Sequence, residues 1–413
     1  MITPTNAVIR GIAVTLLVFC AGFSLAGPTT VTNPAQVPRT ETLELEELWR
    51  AGGEDDEDVL LGQIGNAATD AAGNVYVLDS QLAHVLKFEA DGAYAGTLGR
   101  EGDGPGEMRQ PLAMDVSSDG RVSVVQPFPG RVIRLTTDGT PDGTFDLGAD
   151  DPTQGGFAMI MGARERADQL VISGQRSSFD PAKGEIRGTR FLATVNQDGS
   201  EVRRHAEVTT SRNMERIEIY ELAEYFPGDR GLWGLDAEGR LYTATSYTEY
   251  EITVTAPDGT IERVISRPHE ARARTEDELK DLRGGMSMNI NGREPEIVQY
   301  LQDHAPCIDA LHLQDDGTLW VENSHARDRW DDEGMITYDV YDPDGRLDRE
   351  VTVRIPGAGE NDRPILLADG RFLLAVGQAD LSISISAGNG DGEPGDAPVA
   401  ATMPELVCFG ASR

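Results

Sequence analysis

One short turn pattern recurs along the sequence, and it constrains the fold more than any other feature. An acidic residue stands one or three positions before a glycine, and alternating apolar residues follow, as in Asp70–Val77 and Asp316–Val321. The first-turn glycines of the five copies are Gly73, Gly120, Gly239, Gly317 and Gly370. Glycine adopts the positive φ that a tight hairpin turn requires, so each copy predicts two antiparallel strands joined by a turn.

A second turn follows within most of these units. Its Asp-Gly pairs are Asp91-Gly92, Asp138-Gly139, Asp198-Gly199, Asp258-Gly259 and Asp344-Gly345. Two hairpins per unit predict four antiparallel strands, and a spacing of roughly 40 to 50 residues is typical of a propeller blade. The long gap between Gly120 and Gly239 leaves room for one further unit. The sequence therefore predicts an all-β, six-bladed β-propeller of four-stranded antiparallel blades over residues 42–410.

Two segments do not follow the blade pattern. Residues 42–49 alternate at strand period before the first blade, and they predict a strand that closes the ring against the last blade. Residues 266–306 interrupt the pattern between blades four and five. Thr275–Glu278 forms a capping box, and the run from Pro295 to Leu301 carries an apolar stripe, so we predict two helices. Whether this helical insertion is a lid or a decoration stays open.

The first copy resembles a known family. Asp79–Phe88, followed by Gly99–Pro111, is similar to an NHL-type repeat, and the similarity covers residues 64–150. The resemblance implies a six-bladed propeller like those of exported bacterial members of the family. Later copies lack the Gly-Pro-Gly-Glu loop at Gly104–Glu107. Six-bladed relatives include calcium-dependent lactonases and metal-dependent lyases, so an enzyme remains an alternative.

The first 26 residues predict an export signal. Arg10 is its positive residue, Gly11–Phe23 is apolar, and Ser24–Ala26 fits a small-x-small cleavage site. We expect a periplasmic or extracellular protein, with a flexible segment at 27–41 and without a transmembrane helix in the mature chain. Lipid anchoring at Cys20 is less favoured, because bulky Phe19 precedes it.

Charge narrows the classes of partner. The chain has 70 acidic and 36 basic side chains, and its formal net charge is -34. Proteins that bind nucleic acids or anionic lipids present a basic face, so we exclude both as general partners. We expect the ligand to be a protein, peptide or small molecule. We also expect a monomer. Cys307 and Cys408 follow the signal, and they are either a disulfide or two buried thiols.

Motifs for chemistry are sparse. The sequence has no Gly-x-Ser-x-Gly, His-Glu-x-x-His or Cys-x-x-Cys motif, and we assign no catalytic residue. His304, Cys307, Asp309 and His312 are close in sequence, but strand alternation separates 307 and 309 from 312. Residues 389–396 resemble a calcium loop loosely and lack its bidentate glutamate. We expect no cofactor, and a channel Ca²⁺ or other divalent metal has no support.

These features favour a binding or interaction module that uses one face or the axial channel to bind a peptide, carbohydrate or small molecule. The alternative is a metal-dependent hydrolase or lyase with its site in the channel. Residues just before the innermost strands reach the channel mouth, and by this register they are Arg109, Trp233, Asp309 and Arg363. The tryptophan offers a stacking face, and the arginines suit an anionic group or pair with neighbouring acids.

Overall fold

The computed structural model describes most of the chain after the predicted signal peptide. The described residues are 27–54, 56, 58–117, 119–148, 156–166, 169–180, 182–213, 215–229, 231–284, 289–290, 295–330, 334–359, 361–378, 386–387 and 403–412. The predicted export signal and the calcium-like segment 389–396 lie outside these residues.

Strands dominate the described residues, and only two short α-helices accompany them there. The strands are β1 (Thr29–Thr32), β2 (Thr40–Gly52), β3 (Ile64–Thr69), β4 (Val75–Asp79), β5 (His84–Phe88), β6 (Tyr94–Leu98), β7 (Arg100–Glu101), β8 (Glu107–Met108), β9 (Ala113–Val116), β10 (Arg121–Gln126), β11 (Arg131–Thr136), β12 (Pro141–Asp146), β13 (Phe157–Arg166), β14 (Gln169–Asp180), β15 (Glu185–Val195), β16 (Glu201–Asn213), β17 (Arg216–Tyr220), β18 (Trp233–Leu235), β19 (Leu241–Ala244), β20 (Glu251–Thr255), β21 (Ile261–Ser266), β22 (Asn289–Ile290), β23 (Glu296–Tyr300), β24 (Ile308–Leu313), β25 (Leu319–Asn323), β26 (Met335–Tyr341), β27 (Leu347–Arg354), β28 (Arg363–Leu366), β29 (Phe372–Val376), β30 (Ser386–Ala387) and β31 (Glu405–Ala411). The helices are α1 (Glu221–Glu224) and α2 (Glu276–Gly284).

Small sheets of four consecutive strands are the repeating unit. Strands β3–β6, β9–β12, β13–β16 and β18–β21 each pair antiparallel in chain order. Their first strands pack side by side, β3 against β9, β9 against β13, and β13 against β18, which in turn packs against β24. A guanidinium N–H of Arg363 on β28 donates to the carbonyl oxygen of Ile64 on β3 at 3.1 Å. The chain is therefore an all-β, propeller-like ring with its first strands around a central axis.

The predicted turns are confirmed. All ten first-turn and second-turn glycines have φ between +79° and +89°, a region that favours glycine. In the first turn, the carboxylate of Asp70 accepts the backbone N–H groups of Ala72 and Asn74 at 2.9 and 3.0 Å. The acidic residue and the glycine therefore act together, because one holds the backbone donors and the other allows the chain reversal.

The predicted closing strand also pairs with the end of the chain. The first half of β2 runs parallel to β27, and the second half, from Leu45 to Gly52, pairs antiparallel with β31. This strand joins β24–β27 to β28, β29 and β31 in one eight-stranded sheet. The unpaired edge that β31 would otherwise present is therefore covered by the N-terminal part of the chain.

Residues 27–41, predicted to be flexible, are attached to the ring instead. Strand β1 pairs parallel with β21 over Thr29–Thr32. The buried side chain of Asn33 donates to the carbonyl oxygen of Gly345 at 3.0 Å and accepts the N–H of Leu347 at 2.8 Å. The sequence pattern gave no sign of these contacts, because the backbone and amide partners are more than 200 residues away in the sequence.

The predicted helical insertion is only half helical. Helix α2 begins after the capping box, in which Thr275 and Glu278 exchange hydrogen bonds as predicted. The second predicted helix is wrong, since Glu296–Tyr300 is a strand that pairs parallel with Arg216–Tyr220. Its β-branched and aromatic residues favour strands, and an open partner strand was available. The apolar spacing alone did not distinguish the two structures.

The two cysteines that follow the predicted signal peptide are buried and unpaired. Cys307 and Cys408 are both free thiols with no exposed surface. Burial raises the pKa of the Cys408 thiol to about 12, so it stays protonated at neutral pH. Of the two alternatives that the sequence left open, the structure has two small buried side chains rather than a disulfide.

Candidate functional site

The two candidate arginines already have partners in the structure. The guanidinium of Arg109 is half exposed and forms an ion pair with Asp103 at 2.8 Å, with Glu101 next to it at 3.4 Å. Arg363 bonds to the backbone of Ile64 on the neighbouring first strand. Arg109 thus lies among exposed charges of the glycine-rich loop, whereas Arg363 lies between the first strands of adjacent sheets.

Trp233 is a packing residue between two sheets. Its side chain is 7% exposed and lies in a core cluster with Val171, Leu192 and Phe226. A Cβ added at Gly162 would lie 3.2 Å from the indole, and the guanidinium of Arg164 covers the ring at 5.7 Å. The ring faces that were predicted to stack on a ligand are therefore occupied by protein.

Asp309 lies at a β-bulge on the first strand of its sheet. Ile308 pairs with Asn323 and Ala310 pairs with Glu322, so Asp309 is the extra residue between them. A bulge bends the strand and redirects the side chain of the extra residue. Across the strand, the carbonyl oxygen of Gly231 accepts the N–H of Leu311 at 2.7 Å. This contact holds the bulged strand to the loop before β18, near the ring axis.

A buried carboxylate lies next to this bulge. Glu322 is 7% exposed, and its two oxygens contact His312 Nε2 at 2.9 Å and Arg327 Nε at 3.4 Å. These two partners lower the pKa of Glu322 against the opposing effect of burial. Both carboxylate oxygens of Glu322 therefore have a partner. Glu322 raises the pKa of Asp309 through its charge, and no hydrogen bond joins the two carboxyls.

The Asp309 carboxyl itself has no hydrogen bond or ion pair with the residues that the structure describes. Asp309 is an exposed residue of β24, although protein atoms surround its carboxyl on most sides. Burial, followed by the Glu322 charge, raises the pKa of Asp309 to about 7. At neutral pH this carboxyl can therefore accept or donate a proton and has a free site for a hydrogen-bond partner.

Two arginines of the insertion, Arg272 and Arg274, act through their charges on the Asp309 carboxyl, as Arg327 does. Arg274 makes two bonds to Glu221 at 2.7 and 2.8 Å, and Glu221 also accepts the hydroxyl of Tyr247 at 3.0 Å. Arg272 is held by Glu278 at 2.8 Å. Both arginines lower the pKa of Asp309, but less than burial raises it. Because each is fixed by its own carboxylate, neither neutralises Asp309 fully.

The other ends of the first strands also carry charges. Arg166 at the end of β13 contacts Asp115 on β9 at 2.6 Å. Burial and Asp369 raise the pKa of Asp315 after β24, while the Arg166 charge opposes them. Arg166 is thus paired with Asp115 and also acts through its charge on Asp315.

The sequence argument missed most of the residues around Asp309. Glu322 could have been found from the sequence, because it is a charged residue in the otherwise largely apolar strand Leu319–Asn323. A charge in such a strand is buried and needs a partner nearby. Glu221 and Arg274 carry no comparable signal, since they lie in charged stretches and are far apart in sequence. The alternation argument at Asp309 failed because the bulge breaks the two-residue period.

The sequence places four polar residues close together, and the structure separates them: His304, Cys307, Asp309 and His312. His304 packs against the ring of Tyr247 at 5.6 Å, and Cys307 is fully buried. His312 remains close to Glu322. Within the described residues, no group of three or more His, Cys, Asp or Glu side chains is arranged to hold a metal ion. The Asp309 carboxyl can form hydrogen bonds and ion pairs, and with a pKa of about 7 it can exchange a proton at neutral pH.

Comparisons with known proteins give similarities of shape only. No protein-family profile matches the chain, and no curated protein matches it. A solved protein from Bacteroides fragilis that is described as exported is 12% identical, covers 93% of this chain and 100% of its own, and has a TM-score of 0.48. A DUF4221 member from Bacteroides vulgatus is 11% identical over 90% and 98%, with a TM-score of 0.43. Virginiamycin B lyase from Staphylococcus aureus is 9% identical over 79% and 94%, with a TM-score of 0.36.

These similar structures include an exported protein and an enzyme, and their low identities and TM-scores assign no activity to this chain. Within the described part of the chain, no helix is long and apolar enough to cross a membrane. The function must therefore be argued from the site itself.

Replacing Asp309 with asparagine is expected to stabilise the protein in a pH-dependent way. The folded state raises the pKa of Asp309 to about 7, above the unfolded value of about 3.9, so charging this carboxyl costs stability as pH rises. The gain from D309N should be absent below pH about 4 and complete above pH about 7. A shift of this size equals about 4 kcal/mol for a buried group. Solvent access at Asp309 reduces the expected gain to about 1–2 kcal/mol.

Urea unfolding of both proteins at pH 4 and pH 8 checks this expectation. A gain that is equal at the two pH values, or a loss of stability at pH 8, would contradict the raised pKa of Asp309.

Proposed function

We propose that this chain is an exported, NHL-like propeller that binds a small polar ligand at the mouth of its axial channel. The proposal includes six blades. The four small sheets account for four of them, and the bend in β2 divides the eight-stranded sheet into two more. On this reading the last blade consists of β28, β29, β31 and the second half of β2, which gives it the same four strands as the others.

The unpartnered carboxyl of Asp309 carries the proposal. Asp309 is exposed, and its carboxyl makes no hydrogen bond or ion pair within the described residues, whereas the carboxylates of nearby Glu322 and Glu221 are bonded to protein groups. A carboxyl that is open to solvent and not held by the protein can accept a bond from a ligand. We place its strand, the first of its sheet, at the channel mouth, where loops of several sheets converge.

The proposed ligand class follows from the carboxyl chemistry of Asp309 and from the net charge of the chain. Asp309 would accept a hydrogen bond from an ammonium, hydroxyl or amide group of a peptide, carbohydrate or other small molecule. The net charge of -34 favours approach of a cation over an anion. Arg363 is proposed as a second contact on the neighbouring sheet, Trp233 as support for the wall, and Arg109 as a rim residue.

A metal-dependent hydrolase or lyase remains the second candidate. The observation in its favour is the contact of 2.9 Å between His312 Nε2 and the Glu322 carboxylate on the strand beside Asp309. Oxygen and imidazole groups of this kind are metal ligands in other proteins. Elemental analysis of the purified exported protein distinguishes the two, since a stoichiometric divalent metal would favour the enzyme and disfavour a site in which Asp309 contacts the ligand directly.

Thermal-shift screening of wild type and D309N against amino acids, short peptides, amines and sugars tests the binding proposal. We expect at least one compound to raise the melting temperature of wild type by about 2–4 °C and to have little effect on D309N, because ligand binding stabilises the folded state. Asp91→Asn is the matched control. Its exposed turn carboxylate loses the same charge while the amide oxygen can still accept the N–H of Ala93.

Equal shifts in wild type and D309N across every compound would place the ligand elsewhere and contradict the proposal. Loss of the shift in Asp91→Asn as well would show a general effect of charge rather than a site at Asp309.

A further inference from the structure

A cleft apart from the Asp309 site lies between the sheet β18–β21 and the sheet that contains β24–β27. Its volume is about 740 Å³, within the range of small-molecule sites. Its floor is formed by strands β26 and β27, and its walls by the segment after β21 and the turn after β25. The turn separates it from Asp309, because His325 and Asp328 face the cleft while Arg327 contacts Glu322. The inference below goes beyond the proposed function and does not depend on it.

The back of this cleft is electrically neutral. Asp339 is completely buried and accepts bonds from Arg267 at 2.7 Å, Tyr250 at 2.9 Å and Asn323 at 2.8 Å. The side chain of Arg267 is itself only 8% exposed. The two charges therefore compensate each other, and neither is available to a ligand.

The histidines of the cleft wall are also committed to neighbours. His325 contacts the Asp328 carboxylate at 2.9 Å through Nδ1 and the Glu270 carbonyl oxygen at 3.0 Å through Nε2. His269 shares a hydrogen bond with the hydroxyl of Ser324 at 2.8 Å. Burial, followed by the Arg267 charge, lowers the pKa of His269 to about 4, so its ring is neutral. Both ring nitrogens of His325 are thus bonded to neighbours, and Arg329, which also lines the cleft, has an interaction of its own.

Glu350 lies on the floor of the cleft, directly opposite Asp339 in the antiparallel pair β26–β27, and Thr352 lies opposite Thr337. Burial and then the like charge of Asp339 raise the pKa of Glu350, and the charges of Arg267 and His325 offset only part of this rise. Among the described residues, the Glu350 carboxylate makes no hydrogen bond or ion pair. A cation bound here would relieve that repulsion.

The rest of the lining offers hydroxyl groups and apolar surface beside Glu350. The hydroxyls of Thr337 and Thr352 are 3.2 Å apart on the same face as Glu350 and can accept further N–H bonds. Pro268, Ala326 and Met335 add apolar surface to the same cleft. We propose that this cleft binds a protonated primary amine on a short aliphatic chain, with the ammonium group at Glu350 and the chain against the apolar wall.

Calorimetric titration of the exported protein with 1,5-diaminopentane tests this inference, with 1,5-pentanediol as the neutral analogue. At pH 8 and moderate salt, we expect wild type to bind the diamine and not the diol. Glu350→Gln should bind the diamine about tenfold more weakly or not at all, since it loses the charge that pairs with the ammonium. Its melting temperature should not fall, because the substitution removes repulsion with Asp339.

A matched variant makes the result specific. Glu89→Gln removes an exposed glutamate charge by the same substitution, so it should bind the diamine as wild type does. Equal affinity of wild type and Glu350→Gln, equal binding of the diol, or an absence of diamine binding would overturn the cleft proposal.

Discussion

Replacing Asp339 with alanine is expected to lower the free energy of unfolding by about 3–5 kcal/mol, because it leaves a buried arginine without its counter-ion. Asp339 has no exposed surface, and the Arg267 side chain that it neutralises is only 8% exposed. The substitution also removes the acceptor for the Tyr250 hydroxyl and the Asn323 amide. Relief of repulsion with Glu350 offsets only part of this loss.

Asp348→Ala is the control for Asp339→Ala. Asp348 pairs with Arg39 at 2.7 Å, but the two side chains are 40% and 58% exposed. Ion pairs in water contribute little, so this loss should stay below about 1 kcal/mol. Urea unfolding of the three proteins provides the comparison. Similar losses for the two variants would show that burial of the Arg267–Asp339 pair does not determine its contribution.

Trp49→Ala is expected to cost about 3–5 kcal/mol as well, since it empties a large site on the closing strand. The Trp49 side chain is 8% exposed, and its ring stacks on Phe88 with centroids 5.3 Å apart. It also packs against Gly92, where an added Cβ would collide with the indole. Trp49 thus links the closing strand to the first four-stranded sheet.

Leu48 provides the matched control on the same strand. It precedes Trp49 directly but is 47% exposed, so Leu48→Ala should change the free energy of unfolding by less than about 0.5 kcal/mol. Denaturant unfolding of both variants measures the difference. A cost at Trp49 no larger than that at Leu48 would argue against a closing strand that holds the two ends of the ring together.

The repeated turns could be predicted because their cause is local. An aspartate that binds nearby backbone N–H groups and a glycine with positive φ determine a hairpin wherever they occur, as at Asp70 and Gly73. The capping box at Thr275 is local in the same sense, and helix α2 begins there. These features need no information from the rest of the chain.

The errors arose where distant partners decide the structure. Glu296–Tyr300 is a strand because Arg216–Tyr220 lies beside it, and residues 29–32 are ordered because β21 lies beside them. The sequence predicts Trp233 just before an innermost strand; it is the first residue of β18, and the position of its ring depends on Gly162 of another sheet. Asp309 is likewise predicted just before a strand and lies within β24, at a bulge that the sequence pattern does not indicate.

Direct titration of the Asp309 carboxyl tests the central claim, which is that the channel mouth presents an unpartnered carboxyl to a ligand. Aspartate labelled with ¹³C at the carboxyl carbon would be followed by NMR between pH 4 and pH 9 in wild type, and the D309N spectrum would assign the resonance. The account predicts one aspartate that titrates near pH 7 and is missing from D309N. An Asp309 resonance that titrates at its ordinary value near pH 4 would contradict the account, because it would show a carboxyl that is fully solvated or already paired.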